Sequence, residues 1–427
     1  MYEVMKAFTD DEVTAIGVYS MGGVGKTTLV KLIAAHGKNS GIFDHVIISV
    51  ASQNPELENI QGTLAEQLGF KLHEKREIGR AARLSKEIKE KNKIIIILDD
   101  IWERIDLSRI GIPSYKELQK CNSKVLLTTR IMNVCHAMEC QRKITSMVLS
   151  AQDSWALFMR KARTSFELPS FEGVARKVAG ECRGLPIALI AVARALGDKN
   201  LVEWKRAAQR LEKSQTANPE DVGEASKCIR LSYDYLKDED CKSYFLLCCL
   251  FPEDCDIPIK DLIRYAIGKG LFQDAETLDE ARDRADTVVR HLKDSSLLMD
   301  GRNSKYVSMH DVVRDTAINI AKSEDGHGFL VKAGCDLEAW PRKLLEGYSA
   351  ISLMGNPISK LPEKLVCPKL QILFLNLFLN RNIYIKYIPE TFFQGPYELT
   401  VLDLSETNIS LLPESCSLLT NLQALCL

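Results

Sequence analysis

The sequence predicts a multidomain α/β protein, and three observations carry that prediction. Short β-branched runs alternate with helical patterns over residues 13–150, helical patterns alone follow to about residue 330, and a leucine pattern recurs after residue 340. A length of 427 residues leaves room for about three domains of ordinary size. The composition, 46% hydrophobic and 26% charged, is that of a globular chain able to bury large cores.

In chain order, "VTAIGVYS", "HVIISVA", "KIIIILDD", "SKVLLTTR" and a weaker "ITSMVLS" are apolar runs separated by helical stretches. Such runs predict parallel strands covered on both faces, so residues 1–150 are expected to form one α/β domain. Beyond residue 151, "SWALFMRKA", "FEGVARKVAGECR", "LPIALIAVARAL" and "EWKRAAQRL" place apolar residues at helical spacing. They predict a helical subdomain over 151–224, closing on the polar linker "KSQTANPEDVGE" at 213–224. Residues 225–330 are again helical, but "KYVSM" reads as a strand immediately before the helix "VVRDTAINIAK", which predicts a winged-helix-like subdomain. In 340–427, "LTVLDL" at 399–404 recurs as "LQALCL" 23 residues later, and "LQILFL" at 370–375 precedes it by 29. These intervals predict the start of a leucine-rich-repeat solenoid, the longer one stretched by an insertion around "NRNIYIK". "KLPEKL", "YIPETF" and "LLPESC" mark the outer side of each unit. The last strand lacks the polar cap that solenoids use, so an incomplete repeat array is expected.

Composition excludes several classes. Lys and Arg total 56 against 57 Asp and Glu, which gives no excess of positive charge for a nucleic-acid partner. The basic run "SKEIKEKNK" mixes signs and reads as a solvated helix face. Thirteen cysteines form no framework spacing, and Cys248 and Cys249 sit together in the apolar run "YFLLCCLF", as buried reduced thiols of a cytoplasmic protein would. "CHAMEC" at 135–140 looks like half a metal site, but no partner pair follows at zinc-finger spacing. No apolar run reaches the ~18 residues of a membrane span. The opening "MYEVMKAFTDDE" has acids where a secretory signal needs basic and then apolar residues.

The chemistry is carried by "SMGGVGKTT", a strand-to-helix loop of the P-loop NTPase kind. Gly22, Gly23, Val24, Gly25, Lys26, Thr27 and Thr28 form the candidate phosphate site. The glycines let successive backbone N–H groups converge on phosphate oxygens at the start of a helix whose dipole favours anions. Lys26 is expected to reach the β- and γ-phosphates, and the Thr27 hydroxyl to ligate Mg²⁺. The motif wants glycine where this chain has Ser20. Downstream, "KIIIILDDIW" ends an apolar strand in two acids, Asp99 as the expected Mg²⁺ partner and Asp100 as the group that orients a hydrolytic water. Arg130 closes "KVLLTTR" at the same sheet edge, where ligands bind in open α/β folds and where it could sense a γ-phosphate. In "GLPIAL", Gly184 ending one helix and Pro186 starting the next are sufficiently explained by helix capping. In "SMHDVVRD", Asp311 is placed to cap a helix beginning near Val312, with His310 just before it.

Taken in this order, the motifs resemble the NB-ARC domain of plant disease-resistance proteins of the nucleotide-binding, leucine-rich-repeat family. The matching pieces are "MGGVGKTT", "LDDIW", "KVLLTTR", "GLPIAL", "LLCCLFPED" at 246–254 and "MHDV" at 309–312, followed by the repeats. Trp102 in "LDDIW" is similar to the subgroup with an N-terminal coiled coil rather than a Toll-like domain. The resemblance implies that Pro186 packs on an adenine and that His310 contacts the β-phosphate of ADP. It further implies an ADP-bound off state and an ATP-bound on state that oligomerises and triggers immune signalling. A pathogen effector or a guarded host protein would be sensed through the repeats. Two departures stand out. Family members carry a coiled coil and a Val-Gly-Arg-like segment upstream, whereas twelve residues precede Val13 here, so truncation of the signalling domain and part of the adenine pocket is expected. The second is Ser20. Two other functions share these motifs: a multiple-turnover P-loop ATPase that releases ADP quickly, and a non-signalling decoy acting through its repeats.

Overall fold

The computed structural model describes residues 1–52, 55–162, 169–213, 223–322, 328–341, 347–376 and 385–427. It divides into two compact units, Met1–Leu149 with Leu185–Ile187, and Ser150–Gly184 with Ala188–Leu427.

The first unit contains five strands, β1 (Ala15–Tyr19), β2 (His45–Val50), β3 (Ile94–Ile101), β4 (Lys124–Thr129) and β5 (Arg142–Thr145). Around them run α1 (Tyr2–Phe8), α2 (Lys26–Asn39), α3 (Leu57–Gln67), α4 (Glu77–Lys89), α5 (Leu107–Ile110), α6 (Tyr115–Lys120) and α7 (Met132–Ala137). All strand pairs are parallel and the order is β2-β3-β4-β1-β5. Burial on both faces explains the continuous apolar runs: Ile94, Ile96 and Leu98 of β3 enter one core while Ile95 and Ile97 enter the other. The fifth strand lies earlier than "ITSMVLS" suggests. It pairs along β1 from Ile16–Arg142 to Tyr19–Thr145 and stops where β1 stops, with Met147 and Val148 exposed beyond it. The N-terminal helix α1 is unanticipated; Val4, Ala7 and Phe8 are buried, and the Phe8 ring meets Phe43 edge-on at 4.9 Å.

The second unit continues with α8 (Ala151–Ala162), α9 (Pro169–Glu181), α10 (Pro186–Leu196) and α11 (Leu201–Lys213), of which the first residues of α10 cluster with the first unit. Buried Trp204 is clasped by Phe158 at 5.8 Å and Phe171 at 5.5 Å. Most of the expected linker at 213–224 lies outside the described residues. Next come α12 (Glu224–Asp234), α13 (Glu239–Cys248), β6 (Ile257–Pro258), α14 (Ile259–Gly268), α15 (Leu278–Asp294), β7 (Met299–Asp300), β8 (Tyr306–Ser308) and α16 (Asp311–Lys322). The strands make a small antiparallel sheet in the order β6-β8-β7.

Five short parallel strands close the chain: β9 (Phe329–Val331), β10 (Ala350–Ser352), β11 (Ile372–Phe374), β12 (Val401–Asp403) and β13 (Ala424–Cys426). Their register sets Leu373 against Leu402 and Leu402 against Leu425, so each sequence interval returns the chain to the same place in the ladder. Most of "NRNIYIK" lies outside the described residues.

Helix α14 is fastened to this ladder. The Tyr265 hydroxyl donates to the Asp403 carboxylate, which also accepts from Asn376 Nδ2 at 3.1 Å and from Ser405 N and Oγ at 2.8 and 2.6 Å. Gly268 permits the approach, since a Cβ there would lie 2.7 Å from Ala424 Cβ and 2.8 Å from Val401 Cγ2. Tyr244, also fully buried, has a hydroxyl without a hydrogen-bond partner among the described residues. Tyr265→Phe should therefore cost roughly 1–3 kcal/mol, because it strips a donor from a buried carboxylate, whereas Tyr244→Phe should be near neutral. Chemical denaturation of the two variants checks this, and equal losses would contradict it.

Candidate functional site

The loop between β1 and α2 is shaped by its glycines. Gly23 and Gly25 have φ of 78° and 97°, in the left-handed region that other residues enter at a cost. Gly25 needs that freedom for its backbone alone, since an added Cβ would meet nothing within 4 Å. Gly23 is constrained twice, because a Cβ there would fall 2.5 Å from Ile187 Cγ2. That neighbour belongs to Leu185–Ile187, the segment that clusters with the first unit, so Ile187 lies against the loop. Pro186 occupies the first position of α10 after Gly184 at φ 72°, as capping rules expect. Gly25 caps α2 without any side-chain hydrogen bond, so the first-turn N–H groups and the positive end of the helix dipole face the loop. Thr27 and Thr28 are exposed on that turn, and Val24 is buried beneath it.

Lys26 is 7% exposed, and its ammonium donates to Ser20 O at 2.7 Å and Met21 O at 3.0 Å. Burial first, then the like charge of Arg130, push its pKa down to about 8, with Asp100 and Asp99 opposing the shift.

Across the sheet, β3 ends in a bulge. Leu98 pairs with Leu127 and Ile101 with Thr129, so β3 spends three steps where β4 spends two. Asp100 takes φ 57° there, a conformation aspartate tolerates better than most residues. Thr128 holds both acids: its hydroxyl donates to the buried Asp99 carboxylate and accepts from Asp100 N at 2.9 Å. The Trp102 indole donates to Asp100 Oδ2 at 2.9 Å, Arg130 Nε lies 3.8 Å from Asp100 Oδ1, and the Arg130 guanidinium stacks 4.5 Å above the Trp102 ring. Because β4 runs between β1 and β3, Arg130 emerges between the phosphate loop and the acids.

These residues fit a nucleotide with Mg²⁺. Among the described residues no group of three or more His, Cys, Asp or Glu could hold a metal by itself. A hydroxyl and two acids beside an anion cradle suit an ion that takes most of its ligands from phosphates and water.

Ser20 is not a defect in the loop. It is not among the positive-φ residues, its N–H donates to Thr129 O at 3.2 Å, and its carbonyl accepts from Lys26. Its hydroxyl is buried without a partner among the described residues, so any penalty comes from desolvation and not from the backbone.

The structure thus gathers the loop residues, Asp99, Asp100, Arg130 and the Pro186 segment in the first unit, while His310 stands on the second. The helix there starts one residue earlier than expected. Asp311 is its first residue and takes the Val312 N–H at 2.7 Å, whereas His310 supplies the carbonyl that accepts from Arg314 N at 2.9 Å. The His310 Nδ1 contacts the Asp311 carboxylate directly, which orients the ring. Cys135 and Cys140 are buried against Gly17 of β1, where an added Cβ would lie 2.6 and 3.2 Å from their sulfurs. Sequence reasoning missed Thr128, whose signal is a hydroxyl ending an apolar run. It also missed the indole donor of Trp102 and the close approach of Ile187, which no local pattern announces.

Residues 1–166 match the family described as NB-ARC domain. The chain is 35% identical over 426 residues to Disease resistance protein At4g27190 of Arabidopsis thaliana, covering 98% of this chain and 42% of that protein. It is likewise 35% identical over 438 residues to Disease resistance protein RFL1 of the same plant, covering 99% and 48%. The chain therefore spans about half the length of these curated relatives. Among solved structures it is similar to a signal transduction ATPase with numerous domains, bearing a tetratricopeptide-repeat sensor, from Pyrococcus horikoshii. The TM-score is 0.45 at 16% identity, covering 76% of this chain and 43% of that one.

The backbone at Ser20 leads to a ranking of variants. Ser20→Ala should raise stability by about 1 kcal/mol by removing a buried hydroxyl, and Ser20→Gly should gain less because glycine adds about 0.5–1 kcal/mol of chain entropy to overcome. Thermal midpoints check the order; glycine as the best residue and alanine as the worst would mean that the turn demands a left-handed conformation.

Proposed function

Because the chain belongs to the NB-ARC family of plant disease-resistance proteins, we propose that it is a nucleotide-operated switch of plant innate immunity, off with ADP and on with ATP. The observation that carries this reading is the meeting of Lys26, Arg130, Asp99 and Asp100 at one edge of a parallel sheet, beside an uncapped helix N-terminus.

In this reading the N–H groups of Gly22, Gly23, Val24, Gly25 and Lys26 cradle the phosphates, and the Lys26 ammonium exchanges the loop carbonyls for phosphate oxygens. Thr27 and Asp99 would hold Mg²⁺, which when bound would neutralise phosphate charge. Thr28 adds a hydroxyl at the helix start. Asp100, oriented by Trp102 and Thr128, positions a hydrolytic water. Arg130 distinguishes ATP from ADP, since only a contact that differs between the two ligands can shift a conformational equilibrium. Pro186 packs on the adenine and His310 contacts the ADP β-phosphate, both as family similarity implies.

The parallel ladder of β9 to β13 would begin a leucine-rich-repeat array that senses a pathogen effector or a guarded host protein. The ATP form would assemble with further copies of itself. A cytoplasmic location is part of this reading, supported by the buried free thiols of Cys248 and Cys249.

The charge on Lys26 should make ADP binding depend on pH. The ammonium is retained below about 8, and bound phosphate raises its pKa, so affinity should be flat from about pH 7.5 to 8 and fall up to ~tenfold per pH unit above. Calorimetric titration across pH 7.5–9.5 reads this, and Lys26→Ala should abolish binding throughout. Undiminished ADP affinity in that variant would remove the site assignment. The two acids should separate: Asp100→Ala is expected to spare ADP binding and to slow ATP hydrolysis by roughly 10²-fold or more, while Asp99→Ala should weaken Mg²⁺-dependent ATP binding. Equal small effects on both quantities would refute these roles.

A further inference from the structure

On the second unit, a cavity of 330 Å³ opens where the C-terminal ends of α8, α10, α12 and α15 converge. It uses no residue assigned above to the nucleotide. Its volume lies at the lower end for small-molecule sites.

The lining is cationic. Lys161, Arg194, Lys199 and Lys237 face it, against the carboxylates of Asp198 and Asp294, an excess of two positive charges. The acids sit at the rim: the Asp198 side chain is 72% exposed and meets Lys199 at 3.6 Å. Arg194 is fixed in the wall, its Nη1 donating to Lys293 O at 2.8 Å and Asp294 O at 3.1 Å. His291 completes one side, with burial first and then Lys237 holding its imidazole below the ordinary value, so the ring is largely neutral at pH 7.

Cations at helix C-termini have a reason of their own, since they complement the negative ends of helix dipoles. That reason does not account for Ser232. It lines the cavity from α12 at 1% exposure, yet its hydroxyl has no hydrogen-bond partner among the described residues. A buried hydroxyl is ordinarily bonded, and an unbonded one lining the same cavity as three lysines suits an oxyanion.

We propose that this cavity binds a small phosphate-bearing anion, with Lys161, Lys199 and Lys237 neutralising the phosphate and Ser232 donating to one of its oxygens. Because four helices contribute to the wall, the bound anion would brace the helical segment against the winged-helix segment within this unit, and would stabilise it by mass action.

The test uses the full chain carrying Lys26→Ala, so that the phosphate loop does not take up the probe. Glucose 6-phosphate, inorganic phosphate and glucose are titrated calorimetrically, with thermal midpoints followed in parallel. The phosphates should bind with dissociation constants on the order of 1 mM or below and raise the midpoint, while glucose does neither. The double variant Lys199→Gln with Lys237→Gln should weaken binding on the order of tenfold or more, and Ser232→Ala by about three- to tenfold. Tighter binding of the sugar phosphate identifies an ester as ligand, and equal binding identifies the inorganic anion; both support the site. Absence of binding at about 10 mM in the folded chain, or an affinity unchanged by the double variant, overturns it.

Discussion

The hydrogen bond from the Thr128 hydroxyl to the buried Asp99 carboxylate is the contact on which the candidate site depends. A carboxylate at 2% exposure needs a donor, and the same hydroxyl accepts from Asp100 N, so one threonine of β4 holds both acids of β3. The extra residue of the bulge is pinned there. Its consequence is that two consecutive acids, which a regular strand would send to opposite faces, both act on Lys26.

The electrostatics of the cluster follow from this placement. Lys26 and Arg130 repel each other, and the desolvation of Lys26 adds to the cost, while the two acids offset only part of it. A folded state that buries a cation with its proton half unwelcome is poorer in stability than an apolar one would be. It would be richer in response, because an arriving anion would restore what burial removed. Stacking of Arg130 on Trp102 keeps the second cation in place without neutralising it.

In the second unit the corresponding constraint is Tyr265. Its hydroxyl, the 4.3 Å contact of its ring with Phe374 and the missing side chain at Gly268 let α14 lie directly on β11, β12 and β13. Asp403, at the ladder position that Phe374 and Cys426 hold in the neighbouring strands, is thus committed both to its own ladder, through Asn376 and Ser405, and to the helix. Helix α14 and the parallel ladder are therefore joined by a buried polar contact as well as by apolar area, which fixes one register between them.

Much of this was written locally in the chain. The apolar runs of β1 to β4, the glycines at Gly23 and Gly25, Lys26 at the helix start and the acids closing β3 all follow from short-range periodicity and from backbone freedom. These are properties that neighbours in sequence decide. What the tertiary structure alone decided concerns partners far apart in the chain. The insertion of β4 between β1 and β3 set Arg130 beside both the loop and the acids, and Thr128 became the tie between them. β5 took its bounds from the length of β1, α1 formed because the core accepted Val4, Ala7 and Phe8, and Ile187 came to rest on Gly23. Ser20 shows the division most plainly: its sequence position marks a departure from the motif, but whether that departure strains the loop depends on a dihedral angle set by pairing with β4. Local pattern determines which element forms, and long-range contact determines where it ends and what its side chains meet.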